Sequence, residues 1–145
     1  MPLKLFIHDH AEQDLDRLSQ YDEDGVAYLD HVIALIEEEP DLFDKLADEK
    51  FYRDYDPPIG LLGITVKRVG ILWEQRIRVM RIRLDDESVI PYRILYCVRH
   101  ERQPNGALSR HLHILAVAHK SLDCFDYQPN HKLMCRVRND YANIY

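Results

Sequence analysis

The hydrophobic repeat of the 145-residue chain changes once and then changes back, and that order limits its possible folds more than any composition figure. Leu3, Leu5 and Ile7 alternate with Lys4 and Phe6, which predicts a short first strand. Ala11, Leu15, Leu18 and Tyr21 then recur at helical steps, with Asp9 as the expected cap and Glu12, Asp14, Asp16 and Arg17 off the stripe. Gly25 is expected to mark a turn. Val26, Leu29, Ile33 and Ile36 place a second helix at about residues 24–39, ended by Pro40, and Asp41 could cap a short third one carrying Leu42, Phe43 and Leu46. The span from Asp54 to Gly63, with Pro57, Pro58, Gly60 and Gly63, reads as a loop.

Strand character follows. Ile64 to Val69, Ile71 to Leu84, Tyr92 to Val98 and His111 to Lys120 are rich in β-branched and aromatic residues. Turn residues at Asp85 to Ser88 and at Pro104-Asn105-Gly106 separate them into antiparallel hairpins. Leu133, Val137, Tyr141 and Ile144 then share one helical face. The expected fold class is α+β in a single domain: an N-terminal strand and helical hairpin packed on one side of a twisted antiparallel sheet, followed by a C-terminal helix.

Charge is divided as unevenly as the repeat. Residues 1–60 hold 5 Lys and Arg against 17 Asp and Glu, whereas residues 61–145 hold 14 against 8. The formal net charge of −6 therefore conceals an acidic helical half and a basic strand half that could meet phosphate. Cys97, Cys124 and Cys135 show no C-x-x-C spacing and fit free thiols serving as small core hydrophobes in a reducing compartment. The apolar runs are far shorter than the roughly 20 residues of a membrane span, and no signal-peptide pattern opens the sequence. These features point to a soluble cytoplasmic protein with no membrane partner.

Arg76, Arg78, Arg81 and Arg83 crowd into one predicted strand. Strict alternation puts the first two on one face and the second two on the other, and a bulge near Val79-Met80 would bring all four together. Such guanidinium groups could grip phosphate oxygens or equally pair with the acidic helices. His111, His113 and His119 would share a face if their strand ran unbroken. No nearby Asp, Glu or Cys completes a ligand set with them, so no metal is expected. His8 and His10 read as surface residues.

Tyr92-Arg93-Ile94-Leu95-Tyr96, then Leu115-Ala116-Val117-Ala118-His119-Lys120 and finally Tyr127, resemble the RelE/ParE superfamily of bacterial toxins. Its members pair a YR-apolar-apolar-Y strand with an apolar-V-G-H-R strand and a downstream Tyr. Leu72-Trp73-Glu74-Gln75-Arg76 is similar to the family's L-W-E-L-R strand. The resemblance spans residues 3–39 and 72–144 of a single 1–145 domain, and residues 40–71 read as an insertion.

The resemblance implies a toxin of a type II toxin–antitoxin module, and for RelE-like members a ribosome-dependent mRNA endonuclease needing no cofactor. Attack by the RNA's 2′-hydroxyl requires a base, cations around the pentavalent phosphate and a proton for the leaving oxygen. Arg93 matches the arginine that stabilises the phosphate, and Lys120 stands where many members carry a catalytic Arg. Tyr127 matches a base-stacking or proton-transferring tyrosine, and His119 offers an imidazole, the side-chain type whose unperturbed pKa lies near neutrality, as general base. Arg76, Arg78, Arg81 and Arg83 would bind RNA. Trp73, Tyr92 and Tyr96 could stack on bases but are better suited to the core. The implied partners are a cognate antitoxin, the ribosome and mRNA. The alternatives are a ParE-like DNA gyrase inhibitor without nuclease activity and an inactive domain that binds only a partner.

Overall fold

The computed structural model describes residues 4–48, 54–55, 64–84 and 91–144. Its strands are β1 (Lys4–Ile7), β2 (Asp54–Tyr55), β3 (Ile64–Arg68), β4 (Val79–Leu84), β5 (Tyr92–Arg102) and β6 (Leu108–His119), and its helices α1 (Asp9–Ser19), α2 (Glu23–Glu38), α3 (Pro40–Ala47), α4 (Gly70–Trp73) and α5 (Lys132–Ile144). The strands form one six-stranded sheet in the order β1-β6-β5-β4-β3-β2. β2 to β6 pair antiparallel in sequence as the turn signals predict, but β1 joins the edge parallel to β6. The sheet is therefore mixed, and the helices between β1 and β6 belong to the long crossover that a parallel pair requires.

The α+β class holds, but helices cover both faces of the sheet. On one face, Leu15, Leu18, Leu29, Ile36, Leu42 and Leu46 from α1 to α3 pack against Met80, Ile82, Ile94, Tyr96, Ile114 and Val117. On the other, Leu133, Met134 and Val137 of α5 close over Leu95, Cys97, Leu115, Ala116 and Ala118. Each large apolar side chain buried this way contributes about 1.5–3 kcal/mol, enough for a 13-residue helix to hold its own face of the sheet. No helix of the described residues is long and apolar enough to cross a membrane.

Several local expectations are corrected. His8, not Asp9, caps α1, its Nδ1 accepting the His10 N–H at 3.1 Å. Asp22 caps α2 through the Gly25 N–H, so Gly25 sits inside the first helical turn rather than in the connection. A Cβ there would lie 2.1 Å from Asp22 Oδ2 and 3.0 Å from the Tyr92 ring, so only glycine lets cap and ring close in. Pro40 opens α3 as well as following α2, and Asp41 lies in the first turn of α3 without capping it. Tyr21 is exposed while Asp14, expected off the stripe, is buried. Of the cysteines only Cys97 is in the core; Cys124 and Cys135 are exposed.

The predicted strand Ile71 to Leu84 is the largest miss. Ile71-Leu72-Trp73 forms the single turn α4, because a short apolar run fits a buried helical turn as well as a strand. Arg76, at φ 64°, then reverses the chain into β4. The L-W-E-Q-R segment is therefore helix and turn. Within the segment read as an insertion, residues 40–47 give α3 to the core and residues 64–68 give β3 to the sheet. Of the expected loop, Asp54 and Tyr55 pair with β3, while 56–63, Leu3 and the turn at Asp85 to Ser88 lie outside the described residues.

Candidate nucleic-acid interface

Register decides which cations meet. Thr65, Arg83, Arg93 and Ala118 form one cross-strand row, and Lys67, Arg81, Leu95 and Ala116 form the next, both on the face that carries α5. Arg83 stands directly opposite Arg93, an arrangement that raises the local positive potential. Arg93 is buried, its guanidinium donating to the Tyr92 carbonyl at 3.1 Å. The acidic α1 to α3 occupy the opposite face, where register also places Arg68 and Arg110, the latter bonded to Asp44, so the charge division along the sequence maps onto the sheet only in part.

Beside these rows opens a cleft of about 410 Å³ lined by Arg68, Gly70, Ile71, Arg81, Tyr127 and Gln128, with Asp126 and Val69. Arg81 lies 5.6 Å from the centre of the Tyr127 ring, which packs on Phe125 at 4.5 Å. Tyr127 takes φ 60°, a conformation that costs a residue other than glycine about 1 kcal/mol or more and that gathers at functional sites. Its hydroxyl is buried, with no well-formed hydrogen bond among the described residues. Burial pushes its pKa up, and Arg81 and Arg93 pull it part of the way back, so the phenol is neutral at physiological pH.

Arg68 also lines a second cleft of about 340 Å³ with Trp73, Arg78, His100 and Arg110. Its guanidinium lies 3.9 Å from the centre of the Trp73 ring, with Arg78 at 5.9 Å, while the indole N–H donates to the Val79 carbonyl. Arg68 thus lies between the two clefts, the second of which is also lined by Ala47 and Asp48 at the end of α3.

The predicted residues divide accordingly. Arg81, Arg83, Arg93 and Tyr127 come together. Arg78 faces the second cleft and Arg76 stays in the turn before β4, because the expected bulge at Val79-Met80 is absent and β4 begins only at Val79. The bulge lies instead in the β5–β6 pair near Leu95 and Tyr96, where Leu115 is extra. It reverses alternation within β6, so His119 faces the α1–α3 side while His111 and His113 face the other. The three imidazoles therefore do not share a face.

His119 stacks edge-on against Tyr92 at 5.0 Å, and its Nδ1 accepts the N–H groups of Ser121 and Leu122. A neutral ring so engaged carries its proton on Nε2 and has no lone pair left for a substrate. Lys120 is exposed, and its N–H donates to the Pro91 carbonyl one step beyond β6, at the Arg93 end of the sheet. Tyr92 and Tyr96 are core residues, bonded to Asp22 and to the Leu46 carbonyl. Sequence reading missed Lys67, Arg68 and Gln128. Period-two alternation from Arg81 and Arg83 would have found Lys67 once β3 was paired with β4.

Comparisons of the chain with protein-family models, with curated proteins and with solved structures found no match.

Proposed function

We propose that the protein is a RelE/ParE-like toxin of a type II toxin–antitoxin module, acting in the cytoplasm on translated mRNA. The observation that supports this reading most is the joint placement of Arg81, Arg83, Arg93 and Tyr127 on one sheet face beside a cleft walled by Arg68. Phosphodiester cleavage by the RNA's own 2′-hydroxyl needs charge stabilisation above all else. Arg93 and Arg81 would hold the non-bridging oxygens as the pentavalent phosphate gains charge. Tyr127, kept protonated by burial, would stack on a base or donate to the leaving 5′-oxygen. Lys120 would add a single cation at the Arg93 end, and solvent water would take the proton that the attacking 2′-hydroxyl gives up. The acidic helices would face away from the ribosome, and an antitoxin segment would cover the arginine rows. Residues 64–71, within the segment read as an insertion, supply Arg68 and much of the cleft wall.

One observation favours a second reading, a ParE-like gyrase inhibitor. The engaged Nδ1 of His119 and its place on the opposite face leave the cleft without an imidazole base among the described residues. A paired assay separates the two. The nuclease reading expects truncated mRNA in a cell-free translation reaction and unaffected gyrase supercoiling; intact mRNA with blocked supercoiling transfers the assignment to the gyrase inhibitor. If neither target is affected, the domain is an inactive partner binder.

A further inference from the structure

His8 and His10 flank the start of α1, and Asp140 lies 130 residues beyond His10 near the end of α5, yet the fold brings them together. We propose that these three side chains bind one divalent transition-metal ion, with Zn²⁺ the best match. Two imidazole nitrogens and one carboxylate oxygen are a ligand set that such ions accept, and one ligating atom from each residue lies within 4.8 Å of the others.

The geometry is close to what an ion requires. Asp140 Oδ2 lies 2.7 Å from His10 Nδ1 and 3.7 Å from His8 Nδ1. A tetrahedral ion about 2.0–2.1 Å from each ligand needs those atoms roughly 3.3 Å apart, a value the two distances bracket. Small rotations of the rings, whose centres are 5.0 Å apart, would make the fit. Asp140 is only 2% exposed, unlike the surface carboxylates that commonly crowd together without an ion. The two imidazoles are partly exposed, so an ion can enter between them and keep water in its fourth position.

Charge is arranged to leave Asp140 available. Arg136 Nε lies 3.9 Å from Asp140, but both terminal nitrogens of that guanidinium bind Asp14. Without an ion, His10 Nδ1 shares a proton with Asp140 and His8 Nδ1 holds the α1 cap. Ligation at those atoms exchanges one cap bond and one side-chain bond for coordinate bonds. The ion would clamp the β1–α1 junction to α5 and so fasten the first and last elements of the domain.

The test titrates the metal alone into the full chain, Co²⁺ followed by visible absorption and Zn²⁺ by calorimetry and thermal melting. The proposal expects one ion per chain, the intense bands of tetrahedral Co²⁺, and a melting temperature raised by about 5–10 °C at Zn²⁺ 100-fold above Kd. His10→Ala should abolish these signals. His8→Asn, which keeps an oxygen for the helix cap, should weaken binding by at least about 10-fold. Absent binding, or binding that is unchanged in these variants, overturns the proposal. Ion-free melts show whether His10→Ala folds, and if it does not, His8→Asn decides.

Discussion

Asp14 offers a stringent test of how the first and last helices are joined across the sheet edge. β1 pairs with β6 only as far as Ile114, so beyond that point the β6 backbone needs another partner. Asp14 Oδ2 supplies it, accepting the Val117 N–H at 3.0 Å, while the carboxylate takes both terminal nitrogens of Arg136 and lies 3.5 Å from Arg17. Its side chain is 3% exposed and that of Arg136 is 23% exposed. Asp14→Ala would leave a buried N–H unsatisfied, at about 1–3 kcal/mol, and a guanidinium short of its carboxylate, at about 3–5 kcal/mol if fully buried. The losses overlap and solvent still reaches Arg136, so the expected total is about 3–4 kcal/mol. That corresponds to a melting temperature lowered by roughly 10 °C. Asp14→Asn, retaining one acceptor, should fall about halfway. In a double-mutant cycle with Arg136→Ala the two losses should be clearly less than additive. A loss below about 1 kcal/mol for Asp14→Ala, or full additivity, would refute this account of the edge.

Other outcomes follow from the same contacts. Gly25→Ala should destabilise by about 1–3 kcal/mol in denaturant melts, because its Cβ displaces the Asp22 carboxylate from both the α2 cap and the Tyr92 hydroxyl. Burial, then His111, Arg99 and His8, push the His113 pKa down to about 4, so between about pH 6.5 and 4 the unfolded chain binds the extra proton and stability falls on acidification. His113→Asn should reduce the stability lost across that window by about 1–2 kcal/mol once solvent screening is allowed for, and an unchanged pH dependence would contradict the assignment. If Arg68, Arg81, Arg83 and Arg93 all meet phosphate, log affinity for single-stranded RNA should fall with log salt at a slope of about −3. Arg81→Ala should reduce that slope by about 0.7, measured by fluorescence anisotropy.

The helices were legible because their apolar stripes are long: Val26 to Ile36 spans three turns and marks α2 to within about a residue. β5 and β6 were visible through their β-branched runs, and Pro104-Asn105-Gly106 marked their turn, where Gly106 takes φ 85°. Four consecutive residues from Gly70 carry no period that distinguishes strand from helical turn, so α4 was hidden and two arginines with it. The β6 bulge was equally hidden. One extra residue at Leu115 reverses which side His119 faces, and nothing in the local composition announces it. Asp14 looked like a surface acid because its partners, Arg136 and the Val117 N–H, lie more than 100 residues away. Of the candidate site, the arginines that alternate within one true strand were correctly grouped, and those that depended on its limits were not.

The most direct test of the proposed activity maps new 5′ ends by primer extension on an mRNA being translated in a cell-free system. Wild-type protein should produce ends inside codons, carrying 5′-hydroxyls, only while ribosomes are engaged. Arg93→Ala should slow their appearance by about 10²-fold or more, the cost of one lost charge contact in the transition state. Full-length mRNA after incubation with wild-type protein, or cleavage by Arg93→Ala at an undiminished rate, would contradict the assignment of this basic face as a ribonuclease site.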